Sequence, residues 1–523
     1  MSLMRAIATV GGLTLVSRVA GFARDVLTAA VLGAGPVADA FFVALKLPNF
    51  FRRLSAEGAF SVSFVPLFSA ELERGGRPAA IAFAEEALAV MIAILAPFTL
   101  LAILGMPWLM VLIAPGFTDD PEKYDLAVQF SRITFPYLML MSLTALMGGV
   151  LNSVNRFAPF AAAPILFNLT LIACLLLVAP MTATAGHALA YGVAASGVLQ
   201  LVWLAWSCRR AGITLRLPWP RRNPRVDRLF RLMAPGAIGA GVMQINLFID
   251  IVIASLLPTG AVSYLYYADR LNQLPLGTIG IAIGTALLPV LARQVEAQKQ
   301  TGDPAQALET QNRALEYSLF LALPATVALV VIPGPIIDVL FERGAFGPEA
   351  TAATALALAA YAIGIPAYVL TKVLSTAFFA RQDTATPVKI SVVTVAANAA
   401  LALSLVGFLG HVGIALATGL TAWINVGLLA RGLRRRDLLS VDGRLRRRGP
   451  RLLFSSAVMG AALHIAVTAL EAPLDAGLAV SGPTLALIVG LGAVVYFGAA
   501  FLTGAASWRE LGGLLRRRRQ KPA

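Results

Sequence analysis

Apolar stretches long enough to cross a bilayer recur almost without pause along the chain, and this repetition limits the fold more than any other feature. A helix needs about 20 predominantly apolar residues to span the hydrocarbon core. Such stretches lie at roughly 6–33, 37–70, 82–114, 125–151, 158–180, 187–208, 228–257, 261–292, 310–333, 348–379, 386–408, 411–431, 451–470 and 480–503. These fourteen segments predict an all-α integral membrane protein. Several exceed a straight span and hold Pro48, Pro275 or Pro366, which fits tilted or broken helices. Composition excludes the soluble alternative. Of 523 residues, 58% are hydrophobic and 13% charged, with a mean hydropathy of +0.78. That leaves too little polar surface to cover a water-facing exterior. Arg18, Arg24 and Asp25 interrupt the first segment, and no cleavage site follows it, so it is expected to be retained. Cys174 and Cys208 lie in apolar runs and read as buried free thiols.

The chain carries 42 Lys+Arg against 27 Asp+Glu, a net charge of +15. Such an excess raises the possibility of nucleic acid, and the placement of the charges argues against it. With a cytoplasmic N-terminus, the even-numbered connections hold Arg74, Arg77, Arg156, the arginines from Arg209 to Arg231, Arg293, Lys299, Arg313, Arg381 and Lys389. The arginines from Arg431 to Arg451 and the tail from Arg516 to Lys521 fall on the same side. About 32 basic residues are then inside, against Lys123 and Arg343 outside. This bias predicts that both termini are cytoplasmic.

An internal repeat is visible. Ser63–Ala70 resembles Ala286–Arg293 at an offset of 223, and Gly186–Ala190 matches Gly410–Ile414 at 224. Two parallel six-helix repeats around a central cavity are expected, a transporter architecture. The expected domains are an N-terminal repeat at 1–210 and a C-terminal repeat at 228–433. A basic cytoplasmic linker at 434–450, two additional helices at 451–503 and a basic tail at 504–523 follow.

Eight basic residues fall within spans: Arg18, Arg24, Lys46, Arg52, Arg53, Arg132, Arg270 and Lys372. Charge at bilayer depth is costly and faces a polar cavity or a partner. Five of the eight lie in spans one and two, with the acids Asp25, Asp39 and Glu57, while Arg270 and Asp269 sit in span eight. Arg18 and Arg24 are six apart, about 240° on an ideal helix, and share a face only if Gly21 bends it. An excess of arginine suits a phosphate or diphosphate, because the planar guanidinium donates bidentately. Asp250, with Asn246 one turn away, could join Asn398 and Thr418 as oxygen ligands for a small monovalent coupling cation, or could carry a proton. His187 and His411 are repeat-related and read as interfacial residues. No zinc pattern, phosphate-binding loop or nucleophile elbow is present, so no cofactor and no enzyme activity are expected.

The run Ser17-Arg18-Val19-Ala20-Gly21-Phe22-Ala23-Arg24-Asp25 resembles the opening signature of the MurJ/MviN family. So do Ala38-Asp39-Ala40-Phe41, Pro48–Leu54, Glu57–Phe60, Asp269-Arg270-Leu271, Leu274–Gly277, Glu342–Phe346 and Ala377–Thr384. The resemblance spans almost the whole chain. It implies a lipid II flippase of the multidrug/oligosaccharidyl-lipid/polysaccharide exporter superfamily, in the inner membrane of a bacterium. Such proteins move the undecaprenyl-diphosphate-linked peptidoglycan precursor to the outer leaflet. The resemblance assigns Arg18, Arg24, Arg52 and Arg270 to the lipid diphosphate and headgroup, Asp39 and Asp25 to the cavity acids, and the last two helices to the lipid tail. Membrane lipids and cell-wall synthesis proteins are the implied partners. A flippase for another polyprenyl-linked oligosaccharide, or a drug or metabolite exporter of the same superfamily, is the alternative.

Overall fold

The computed structural model describes residues 3–52, 60–220 and 223–507, and among these every extended element is a helix. The helices run α1 (Leu3–Leu32), α2 (Pro36–Arg52), α3 (Ser61–Leu104), α4 (Met106–Ile113), α5 (Pro121–Thr134), α6 (Tyr137–Ser153), α7 (Ala158–Ala173), α8 (Ala185–Arg210) and α9 (Pro224–Ser255). They continue as α10 (Ala261–Pro275), α11 (Ile281–Thr301), α12 (Ala305–Val331), α13 (Pro333–Phe341), α14 (Pro348–Ala362), α15 (Ile365–Phe379), α16 (Ala385–Leu409), α17 (His411–Arg434), α18 (Gly443–Ala469), α19 (Glu471–Leu474) and α20 (Leu478–Leu502). Two compact units form. One holds Met1–Ser263 with Arg343–Gly347, and the other holds Tyr264–Glu342 with Pro348–Ala523.

Ten helical segments among the described residues are long and apolar enough to cross a membrane. They coincide one for one with spans three to six and nine to fourteen of the sequence count. Spans one, two, seven and eight fall outside that set, and these carry Arg18, Arg24, Lys46, Arg52, Asp250 and Arg270.

In the first unit, Phe60, Phe64 and Phe68 recur every fourth residue and so share one face. The Phe64 ring lies 5.0 Å from Phe60, 5.7 Å from Phe68 and 5.5 Å from Phe83. On α6, a Cβ at Gly149 would come within 2.9 Å of the Phe64 ring, and one at Gly148 within 2.3 Å of Phe160. The glycine pair thus lets α6 approach both α3 and α7, the close packing that membrane helices obtain from small residues.

The motif Glu342–Phe346 has a structural explanation in the same unit. Gly33 closes α1 with φ of 64°, and its missing Cβ would stand 2.3 Å from the Ala345 carbonyl oxygen. Gly344, with φ of 60°, leaves room in the same way for the Ala30 carbonyl at 2.2 Å. The Ala345 N–H donates to Ala30 O at 2.8 Å, and Phe346 is buried. A turn from late in the sequence is thereby clasped onto the α1–α2 corner.

The expected breaks occur at the prolines. Pro275 ends α10 ahead of a π-helical turn at Leu276–Gly280, and Pro366 stands in the first turn of α15. Proline has no N–H for the carbonyl four residues back, and a bilayer offers no water to replace it. Two such carbonyls receive a hydroxyl from another helix. Ala44, opposite Pro48, accepts from Thr134 Oγ1 at 3.2 Å, and Phe320, opposite Pro324, accepts from the Tyr496 hydroxyl at 2.6 Å. The second bond ties α20 to α12.

The histidines show the repeat in three dimensions. His187, opening α8, bonds Gln129 on α5 at 3.3 Å, and His411, opening α17, bonds the Ala353 carbonyl on α14 at 2.9 Å. The sequence separation is 58 residues in both units.

Tyr496→Phe is expected to remove about 1 kcal/mol of stability, read as a lower melting temperature in detergent. In a Pro324→Ala background the residue-324 N–H can serve the Phe320 carbonyl, and the same change should cost less. Equal losses in the two backgrounds would show that the hydroxyl does not compensate the proline.

Candidate functional site

In the first unit α1 packs on α7 at Gly21, where a Cβ would lie 3.3 Å from the Asn168 amide nitrogen. Asn168 donates to the Ser17 carbonyl at 3.0 Å, and its side-chain oxygen accepts from Arg24 Nη1 at 2.9 Å. Gly21 is therefore a point of close approach within a continuous α1. The Arg24 Nε and Nη2 atoms meet Asp25 Oδ1 at 3.1 and 2.6 Å, and the Phe167 ring lies 5.5 Å from the guanidinium carbon. Arg24 and Asp25 are both buried, at 8% and 6% exposed. Arg18 is exposed and Lys46 half-buried, so Arg18 and Arg24 occupy different environments. Arg52 closes α2; its side chain, with Arg53 and Glu57, lies outside the described residues.

Asp39, in the first turn of α2, has no exposed surface. Its Oδ2 sits 2.9 Å from Lys123 Nζ and accepts from the Gly260 N–H at 2.8 Å. Its Oδ1 accepts from the Ser263 N–H at 2.9 Å and the Ser263 hydroxyl at 2.6 Å. Lys123 is itself buried, with Nζ 4.3 Å from the centre of the Phe117 ring. One carboxylate thus joins α2, α5 and the turn entering α10. Lys123 is a sequence-level omission: a lone basic residue in an acidic connection reads as a solvated charge, and only the fold brings it to Asp39.

In the second unit, the Arg270 guanidinium carbon stands 4.6 Å from the Tyr266 ring centre. Asp269 accepts from the Gln273 amide one turn on. Each unit therefore holds one of these arginines against an aromatic face, as the first unit also holds Lys123 against Phe117.

The candidate cation ligands are divided. Asp250 belongs to α9 in the first unit, while Asn398 on α16 and Thr418 on α17 belong to the second. Asn398 is buried and accepts from Thr421 at 3.5 Å, whereas the Thr418 hydroxyl donates to the Ile414 carbonyl at 2.9 Å. Among the described residues, no group of three His, Cys, Asp or Glu side chains is placed to hold a metal.

Several arginines that read from sequence as topological charges are partnered. Buried Glu316 on α12 receives Arg444 at 3.0 Å, Arg448 at 2.6 Å and Arg313. Arg313 also pairs with Asp442, whose carboxylate caps α18 by accepting from the Leu445 N–H at 2.7 Å. At the Ala377–Thr384 motif, Asp383 caps α16 through the Thr386 N–H at 2.9 Å and pairs with Arg436 at 2.7 Å. The Thr386 hydroxyl first, then the Arg436 guanidinium, holds the Asp383 carboxyl down at about 2.

The profile of the family described as "Lipid II flippase MurJ" matches residues 28–477. The chain belongs to the MurJ family of lipid II flippases. Two relatives, each described as a probable lipid II flippase MurJ, are similar over nearly the whole length. The protein of Rhizobium meliloti (strain 1021) is 46% identical over 515 residues, covering 97% of this chain and 95% of the relative. That of Rhizobium tropici is 44% identical over 529 residues, covering 100% and 98%. A solved lipid II flippase MurJ in an inward closed conformation matches with a TM-score of 0.79 at 25% identity, covering 96% of this chain and 99% of that one. An inward-facing multidrug resistance MATE transporter of the MOP superfamily matches with a TM-score of 0.67 at 14% identity, over 82% of this chain and 98% of its own, and shares the fold. MurJ is a family of multi-pass membrane transporters, and this chain has the helices for such a role.

Asp39 and Lys123 should not be equivalent. Lys123→Met leaves Asp39 with three donors, whereas Asp39→Ala strands four donors, one of them a buried ammonium. Removing one partner of a buried pair costs roughly 3–5 kcal/mol, so Asp39→Ala is expected near that range and Lys123→Met clearly below it in chemical denaturation. Adding Lys123→Met to Asp39→Ala should recover stability. A double variant no better than Asp39→Ala would contradict the pairing.

Proposed function

We propose that the chain translocates lipid II, the undecaprenyl-diphosphate-linked peptidoglycan precursor, from the inner to the outer leaflet of the bacterial cytoplasmic membrane. Both termini face the cytoplasm in this reading, as the basic connections require. Family membership supports the substrate, and the observation in this chain that carries the chemistry is Arg24. It is a buried guanidinium held in a set orientation by Asp25, Asn168 and Phe167. A guanidinium positioned in advance binds a phosphate oxygen without the entropy loss of first ordering a long side chain. Arg270, braced on Tyr266, plays the same part for the second repeat. Arg18 and Arg52 complete the set of cations for the diphosphate and headgroup. Asp25 and Asp269 offset their charge when no substrate is bound.

Alternating access follows if the diphosphate binds one arrangement of the repeats better than the other, since only differential affinity shifts a conformational equilibrium. The polyprenyl tail stays in apolar surroundings throughout, along the two additional helices α18 and α20. Another polyprenyl-diphosphate-linked oligosaccharide would present the same diphosphate. Depletion of the protein separates the two, because the precursor that accumulates in the inner leaflet identifies the substrate. Cell-wall synthesis proteins are the natural neighbours of such a step.

In proteoliposomes, Arg24→Ala and Arg270→Ala are each expected to lower lipid II translocation by roughly tenfold or more, the equivalent of a lost charge-assisted hydrogen bond. Translocation unchanged in both variants would refute the assignment.

Coupling to a cation or a proton belongs to the same proposal, with Asp250, Asn398 and Thr418 as the oxygen donors for a cation, or Asp250 as the proton carrier. Asp250→Asn should then abolish any dependence of translocation on a sodium or proton gradient. A gradient dependence that survives this change would remove the three residues from the proposal.

A further inference from the structure

The connection between α8 and α9 does not resemble a solvated loop. Residues 213–220 run without helix or turn, and in extended backbone alternate side chains share a face. Ile213 on that face is buried at 1% exposed, and Leu215 packs beside it against the α3–α6 core. Past Arg216 the alternation lapses: Leu217 and Trp219 are 62% and 80% exposed, with Pro218 half-buried between them. The segment is not adrift: the Arg216 N–H donates to Glu85 Oε1 of α3 at 2.7 Å. Two large apolar side chains left bare beside a covered, tethered stretch call for some other apolar surface.

Two neighbouring features identify that surface. Trp206, in the last turns of the membrane-crossing α8, is 43% exposed, and the Arg210 guanidinium carbon lies 3.8 Å over its ring. The Trp203 ring lies 5.3 Å from that of Trp206, and Trp219 follows nine residues after Arg210 in the sequence. Tryptophan favours the boundary between hydrocarbon and headgroups, where its ring is half in each medium. The charge is also one-sided. Arg209, Arg210 and Arg216 are exposed, and no acidic residue occurs from 209 to 226. Basic side chains near a leaflet are drawn to anionic headgroups.

We propose that residues 216–219 form an in-plane membrane anchor. Leu217 and Trp219 seat at headgroup depth in an anionic leaflet, and Arg209, Arg210 and Arg216 engage lipid phosphates above them. The anchor holds the α8–α9 connection flat on the membrane at the point where Glu85 ties it to α3. The proposal needs only a membrane-spanning chain, so it stands or falls separately from the transported substrate.

The test uses the purified full-length protein in nanodiscs of phosphatidylcholine, with and without phosphatidylglycerol. The emission of Trp219 is taken as the difference between the unaltered protein and Trp219→Phe. It should be blue-shifted, lose most of its intensity to lipids brominated near the headgroup, and resist aqueous iodide. Phosphatidylglycerol should deepen the bromolipid quenching, and Arg209→Gln with Arg210→Gln should cancel that increment. Emission at the wavelength of tryptophan in water, quenched by iodide and not by bromolipid, would overturn the anchor and leave the face for a protein partner. Equal quenching in both lipid compositions would overturn the anionic preference. A nitroxide at Leu217→Cys, in a chain carrying Cys174→Ser and Cys208→Ala, gives an independent depth. Collision with oxygen over an aqueous nickel complex supports the anchor, and the reverse order refutes it.

Discussion

A bilayer supplies no hydrogen bonds, so every carbonyl freed by a proline and every charge taken below the headgroups must find its partner within the protein. The structure answers this demand repeatedly and locally. Thr134 serves the carbonyl that Pro48 leaves open, and Tyr496 serves the one left by Pro324. Asp39 holds Lys123 together with three further donors, and Asn168 spends its carbonyl on Arg24 and its amide on the backbone of α1. Each of these contacts joins helices distant in sequence. The polar groups that would be costly alone become the joints between helices, so kinks and charges that weaken single helices specify how they pack.

The apolar part of this design is legible in the sequence because hydropathy is a local property. Ten spans can be read off as runs of suitable length, and the histidines at 187 and 411 mark the repeat in the sequence itself. The pairings are not legible. Lys123 lies 84 residues from Asp39 and, by itself, is an ordinary charge in an acidic turn. Asn168 is one amide in an apolar run and Glu316 one acid in a long helix, and neither belongs to a motif. Their meaning depends on which helix comes alongside, which periodicity does not encode. A signal was available for Glu316 nonetheless. A carboxylate at the mouth of an apolar span, in a chain with a long arginine run elsewhere, asks for a cation as partner.

The same contrast revises the meaning of the arginines. Counting by side of the membrane treats Arg225, Arg436, Arg444 and Arg448 alike, as charges that set orientation. In the fold, Arg225 bridges Glu71 and Glu86, Arg436 pairs with Asp383, and Arg444 and Arg448 converge on Glu316. In the proposed topology, orientation and fastening fall to the same residues. Exposed pairs of this kind add little by themselves. The Glu316 group differs, because a nearly buried carboxylate facing three guanidinium groups has no solvent to fall back on.

If Arg24 receives the diphosphate, as proposed above, its pairing with Asp25 has a consequence. A diphosphate arriving at this guanidinium meets a charge already offset by Asp25 on the adjacent residue, so affinity does not scale with the number of arginines. If the diphosphate displaced Asp25, it would take the Arg24 guanidinium from a buried carboxylate, a cost comparable to the new bond. Binding is therefore favourable in an arrangement where Asp25 keeps another donor or gains solvent, and unfavourable where it does not. A paired arginine thus makes affinity depend on conformation, and that dependence is what a transporter requires of its substrate site. A cation without such a neighbouring acid lacks this added dependence, and binding that is equal in both states shifts neither.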